Sequence, residues 1–88
     1  MESVPYIEKK ICERVYIRNF SYESEDEEFK WHTDPEDRII IPISENDWKF
    51  QEDNKLPVPI SFPISIKNGI WHRLIKGSCD LSIKVIKL

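Results

Sequence analysis

WHRLIKGSCDLSIKVIKL, residues Trp71 to Leu88, reads as two extended segments joined by a turn at Gly77-Ser78. Leu81, Ile83 and Val85 alternate with Ser82 and Lys84, the period-two pattern of a strand with one face on a core and the other toward water. In the preceding segment His72, Leu74 and Lys76 share a face. The same alternation recurs toward the N-terminus. Ile60, Phe62, Ile64 and Ile66 fall on one face, with Ser61, Pro63 and Ser65 on the other. Trp48 and Phe50 alternate with Lys49 and Gln51, and Arg38–Ile43 is the continuous apolar run expected of a strand covered on both sides. Val15–Phe20 is rich in β-branched and aromatic residues. Glu45-Asn46-Asp47, Asp53-Asn54 and Asn68-Gly69 mark the turns between these segments. Short strands separated by turns at about 8–12-residue spacing predict an all-β sandwich or barrel. Residues 1–14 admit two readings. Ile7, Ile11 and Val15 stand at helical spacing, but Pro5 and the β-rich segment beyond favour an N-terminal arm or strand, with a short helix as the alternative. Pro57, Pro59 and Pro63 break helices and suit edge strands or turns.

The 88 residues are expected to form one domain spanning the whole chain. A chain this short buries only about 60–65% of the surface its unfolded form exposes, so the core is modest. Phe50, Phe62, Ile64 and Ile41 are candidate core residues. The formal net charge of -3, from 13 basic and 16 acidic side chains, argues against nucleic acid, whose phosphates select basic surfaces. The one basic concentration is in the C-terminal third: Lys67, Arg73, Lys76, Lys84 and Lys87. The longest apolar run, Ile39–Ile43, is far too short to span a membrane. Cys12 and Cys79 do not make a disulfide framework and the first residues do not read as a signal peptide, so reduced thiols and a cytoplasmic setting are expected. Glu23–Glu28 is an acidic run, expected to be a solvated loop.

Both histidines lie in short, related segments: WHTDPEDR (Trp31–Arg38) and GIWHRLIKG (Gly69–Gly77). If His32 to Asp34 is extended, the two side chains point the same way, and a barrel can bring His72 beside them. Two neutral imidazoles and a carboxylate are the minimal facial donor set for a divalent first-row metal with positions left for a substrate. The competing reading has His32 and His72 as partly buried, hydrogen-bonded residues, with Asp34 paired to Arg38 or Arg73. Those two arginines read either as an anion clamp or as ion-pair partners of Asp34, Glu36 or Asp37. Trp31, Trp48 and Trp71 are expected in core or interface positions. Trp31 and Trp71 take the strand face opposite their neighbouring His and so pack outside the cup. Cys79 is read as a small apolar filler. No Cys-x-x-Cys pair, glycine-rich phosphate loop or activated nucleophile competes with the histidine segments.

From Trp31 to its end the chain resembles the small single-domain cupins, especially compact cupin-like proteins of bacteria and their phages. WHTDPEDR is similar to their first motif and IKNGIWHRLIKGSCDL to their second. On this resemblance His32 and Asp34 take the two positions of the first His-x-His, and His72 takes the distal His. The family's glutamate position falls at Arg38 or Ile39, and Glu36 lies two residues away from it. The second motif carries Asn68-Gly69 near the place of its usual Pro-x-Gly. The pattern also resembles the 2-oxoglutarate-dependent iron oxygenases, but Ser82 stands where that family carries its co-substrate arginine, and those proteins are normally much longer.

The resemblance implies a compact double-stranded β-helix, a jelly-roll barrel. The function it implies is a metal-binding cupin with a small-molecule pocket at the barrel mouth. His32, Asp34 and His72 would hold Fe, Mn, Ni or Zn, and Glu36 or Arg38 would orient a polar substrate. The alternative is a non-enzymatic ligand-binding or protein-interaction cupin that has lost its metal. A homodimer is expected, because exposed strand edges are stabilised by pairing. Whether the protein is an enzyme, and on what substrate, is left open.

Overall fold

Alternating side chains and turn residues produce eight strands in chain order: β1 Tyr6–Cys12, β2 Val15–Phe20, β3 Arg38–Pro42, β4 Lys49–Glu52, β5 Val58–Pro59, β6 Ile64–Ile66, β7 His72–Ile75 and β8 Leu81–Lys87. The computed structural model describes residues 6–23 and 29–88, so residues 1–5 of the predicted arm and 24–28 of the acidic run lie outside the described residues. The strands make a five-stranded sheet, ordered β1-β2-β8-β3-β6, and a three-stranded sheet, ordered β5-β4-β7. All pairings are antiparallel. The N-terminal segment is a strand and not a helix. A tight turn at Glu13-Arg14 folds β1 onto β2, with Arg14 in the left-handed region at φ 65. That turn is tied to the end of the chain, since Lys87 N donates to Arg14 O at 2.8 Å and Arg14 Nη1 donates to Leu88 O at 3.0 Å. The predicted turns at Asp53-Asn54 and Asn68-Gly69 are present, with φ of 62 at Asn54 and 74 at Gly69.

The core lies between the sheets. Leu81, Ile83 and Val85 of β8 are all buried, as their alternation predicted, and register pairs Phe20 with Leu81 and Ile40 with both Val85 and Ile64. From the other sheet and its loops come Trp48, Phe50, Ile60 and Leu74. Burying each such side chain contributes about 1.5–3 kcal/mol.

Two core expectations fail, each for a reason of register. In the continuous run of β3 it is Ile40 that is buried; Ile41 stands opposite Lys84 on the outward face, which is only partly covered. A run with no polar residue carries no period and leaves the inward face undetermined. Phe62 is 53% exposed, against 1% for Ile60 and 9% for Ile64. Residues 60–62 form bends before Pro63, and regular pairing starts only at Ile64, so the phase of alternation is interrupted there. Trp48 is fully buried, whereas Trp31 and Trp71 are exposed, as the face opposite each His requires. Among the described residues, no helix is long and apolar enough to cross a membrane.

Candidate functional site

The two histidine segments meet. His32, which lies outside the regular strands, forms an antiparallel bridge with His72 of β7: His32 N donates to His72 O at 3.0 Å and His72 N to His32 O at 2.9 Å. This adds the segment before β3 to the free edge of β7. The imidazole centroids are 4.4 Å apart, and the His72 ring also packs on Phe50 at 5.6 Å. Asp34 stays on the same side, two residues on, and its carbonyl is anchored by Gly69 N at 3.1 Å. One donor atom from each of His32, Asp34 and His72 lies within 4.8 Å of the others. Asp34 and His72 are buried and His32 is half-buried.

Backbone carbonyls set the orientation of both rings. His32 Nδ1 lies 2.8 Å from Lys30 O, and His72 Nδ1 lies 2.9 Å from Ile70 O. A carbonyl only accepts, so each Nδ1 carries the hydrogen. A neutral ring held this way presents the Nε2 lone pair to the site, the arrangement that orients metal-binding histidines. His72 Nε2 lies 3.1 Å from Asp34 Oδ2. A lone pair facing a carboxylate at that distance requires a positive group between them, either a proton on Nε2 or a metal ion. Metal bonds of about 2.0–2.2 Å place neighbouring donors roughly 3–3.5 Å apart. The Asp34–His72 pair already meets that spacing, and the His32 donor lies within 4.8 Å of both.

Arg38 lies beside this group. Its Nη1 is 3.3 Å from Asp34 Oδ1, while Nε donates to Glu36 Oε2 at 2.9 Å. Burial pushes the Asp34 carboxyl up; the His72 hydrogen bond and the positive charge of Arg38, with contributions from both imidazoles, outweigh it and hold Asp34 below the usual carboxylate range. Arg38 thus takes the ion-pair role that the sequence left open. Arg73 does not. Both of its hydrogen bonds go to Gln51 Oε1, at 3.0 and 2.9 Å, and its guanidinium lies 4.8 Å from the Trp31 ring centroid. It follows His72 along β7 and so projects from the opposite face, where neither Asp34, Glu36 nor Asp37 can reach it. Asp37 instead accepts from Asn68 N at 2.9 Å. Cys12 and Cys79 are free thiols, and Cys79 contacts the Asp47 carboxylate, so it is more than an apolar filler.

A cleft of about 480 Å³ opens beside the group, lined by His32, Asp34 and Arg38 but not by Glu36. The same cleft carries Lys87, noted in the sequence only as part of the basic C-terminal third, and three side chains the sequence reading passed over, Tyr6, Glu8 and Arg18. Arg18 was detectable: it occupies the inward phase of β2, two residues before buried Phe20, and is itself only 6% exposed. A cation at an inward strand position is uncommon unless paired. Glu8, on neighbouring β1, pairs with it at 2.6 Å.

No family model matches the chain, and no curated protein matches it. Among solved structures, a cupin domain from Bordetella pertussis Tohama I is 12% identical, with a TM-score of 0.63 over 100% of this chain and 98% of its own. A cupin-2 domain containing protein from Shewanella frigidimarina is 13% identical, with a TM-score of 0.65 over 98% of this chain and 82% of its own. The chain has the cupin fold. A Neisseria meningitidis protein of 12% identity shares it, with a TM-score of 0.65 over 100% of this chain and 88% of that one. Within this cupin fold the histidines stand on neighbouring segments, and Arg38, one of the two positions where the motif resemblance expects a glutamate, carries a guanidinium beside them.

Proposed function

We propose that this cupin-like protein binds a divalent transition metal, Fe, Mn, Ni or Zn, through His32 Nε2, His72 Nε2 and an Asp34 carboxylate oxygen, and receives a small polar molecule in the adjoining cleft. The observation that supports this most directly is the pairing of pinned Nδ1 atoms with an Nε2 that faces a carboxylate at 3.1 Å. Such a metal would supply Lewis acidity or, as iron, oxygen activation. The chain's own residues do the rest. Ile70 and Lys30 carbonyls fix the rings, Glu36 steadies the Arg38 guanidinium, and Arg38 in turn holds Asp34 and presents charge to the cleft.

A second reading is a cupin-like protein that binds its ligand without metal. It is favoured by the ion pairs themselves: Arg38 already neutralises Asp34, and among the described residues no buried side-chain nitrogen or oxygen lacks a partner. Metal analysis of untagged protein separates the two. The first reading expects close to one equivalent of metal, lost in His72→Ala. Metal-free protein that takes up no Fe, Mn, Ni or Zn on addition removes it and leaves the second.

A further inference from the structure

The five-stranded sheet contributes Tyr6, Glu8, Arg18, Arg38 and Lys87 to the cleft, and the His32 segment contributes His32 and Asp34. Register sets these charges side by side, Glu8 across from Arg18 on β1 and β2, and Arg38 across from Lys87 on β3 and β8. Two of the three cations are matched by carboxylates: Arg18 by Glu8, and Arg38 by Asp34 and Glu36. Lys87 is different. It is half-buried, its ammonium lies 4.6 Å from the Tyr16 ring centroid, and among the described residues it forms no ion pair. A partly desolvated ammonium inside a cleft raises the local affinity for an anion, because the low-dielectric walls concentrate its field.

We propose that the cleft takes a small molecule carrying one carboxylate, with Lys87 as its countercharge and the neighbouring Arg38 fork as a second donor. One negative charge fits better than two. Glu8 and Asp34 line the same space and repel a dianion such as phosphate, whereas a single carboxylate balances the single unmatched ammonium. Tyr6 supplies apolar wall for the rest of such a molecule. This inference rests on the cleft being the ligand site, as proposed above, but does not require the metal.

The test is an NMR titration of the full chain with butyrate, with butyramide as the uncharged match and inorganic phosphate as the dianion, each without metal and with Zn(II). Butyrate should bind more tightly than either, with shifts at Arg38 and Lys87. Lys87→Gln should weaken it by about fivefold or more, Lys87→Arg should restore most of the loss, and Lys84→Gln should change nothing. Lys84 removes the same charge from the same strand, but on the outward face. No saturable butyrate shift, equal binding of butyramide, tighter binding of phosphate, or equal losses from the two glutamine variants would each overturn the proposal. Zinc binding with butyrate indifferent to Lys87 overturns only the anion site. Butyrate binding through Lys87 in a protein that takes no zinc removes only the metal.

Discussion

Asp34 is where burial and charge compete. Desolvation favours its neutral form, but the His72 hydrogen bond and Arg38 prevail, so the folded-state pKa lies below the unfolded value of about 3.9. A depressed carboxylate contributes stability that is present above the unfolded pKa and is lost as pH falls through the folded one. Asp34→Asn should therefore be less stable than the parent at pH 7, and the difference should shrink below about pH 4; urea midpoints across that range check it, and parallel curves would contradict it. Arg38 offers a second residue-scale test. Its guanidinium is a fixed cation beside the carboxylate that a metal would share, so Arg38→Met should raise Zn(II) affinity by about tenfold or more, read by chelator competition. A loss of affinity would mean that Arg38 acts mainly by holding Asp34 in place.

Among the strands, alternation is reliable where the ladder is continuous and fails where it breaks. Leu81 sits in the longest uninterrupted inward phase and is 0% exposed, so Leu81→Ala should cost about 2–5 kcal/mol. Phe62, in the bend before Pro63, should cost roughly 1 kcal/mol or less as Phe62→Ala despite its larger side chain. Denaturant unfolding of both variants checks the contrast. The loop before β8 makes a different demand. Asp47 accepts from Ser78 N at 2.8 Å and Ser78 Oγ at 2.6 Å, which draws the Gly77 segment against the loop before β4. A Cβ on Gly77 would overlap the Asp47 carboxylate and the Trp48 ring. Gly77→Ala should destabilise by about 1–3 kcal/mol.

At the scale of the whole molecule, the sandwich joins residues far apart in sequence. His32 precedes β3 in the large sheet, while His72 opens β7 in the small one, and the bridge between them brings the donor group together. A metal held by both would tie the segment that leads into β3 to β7 and favour the folded state by mass action, about 2.7 kcal/mol at a hundredfold excess over Kd. Zn(II) should raise the thermal midpoint of the parent and leave that of His72→Ala unchanged. An equal rise in both would place zinc elsewhere. The cleft is a property of the same scale, since its charges come from β1, β2, β3 and β8 as well as from the His32 segment.

Local patterning was enough to mark most of the strands, the turns at Asp53-Asn54 and Asn68-Gly69, and the His32, Asp34 and His72 group, because periodicity and residue chemistry are written in consecutive positions. Arg73 was kept as a partner of Asp34, Glu36 or Asp37, although its place next to His72 turns it to the opposite face, where it bonds Gln51. Which face of the Arg38–Pro42 strand turns inward, and the exposure of Phe62, awaited the register of neighbouring strands. So did the meeting of Arg18, Arg38 and Lys87 in one cleft. Each of those depends on pairing between segments distant in the chain, and a side chain's partner across a sheet is set by how the sheet assembles rather than by the residues beside it.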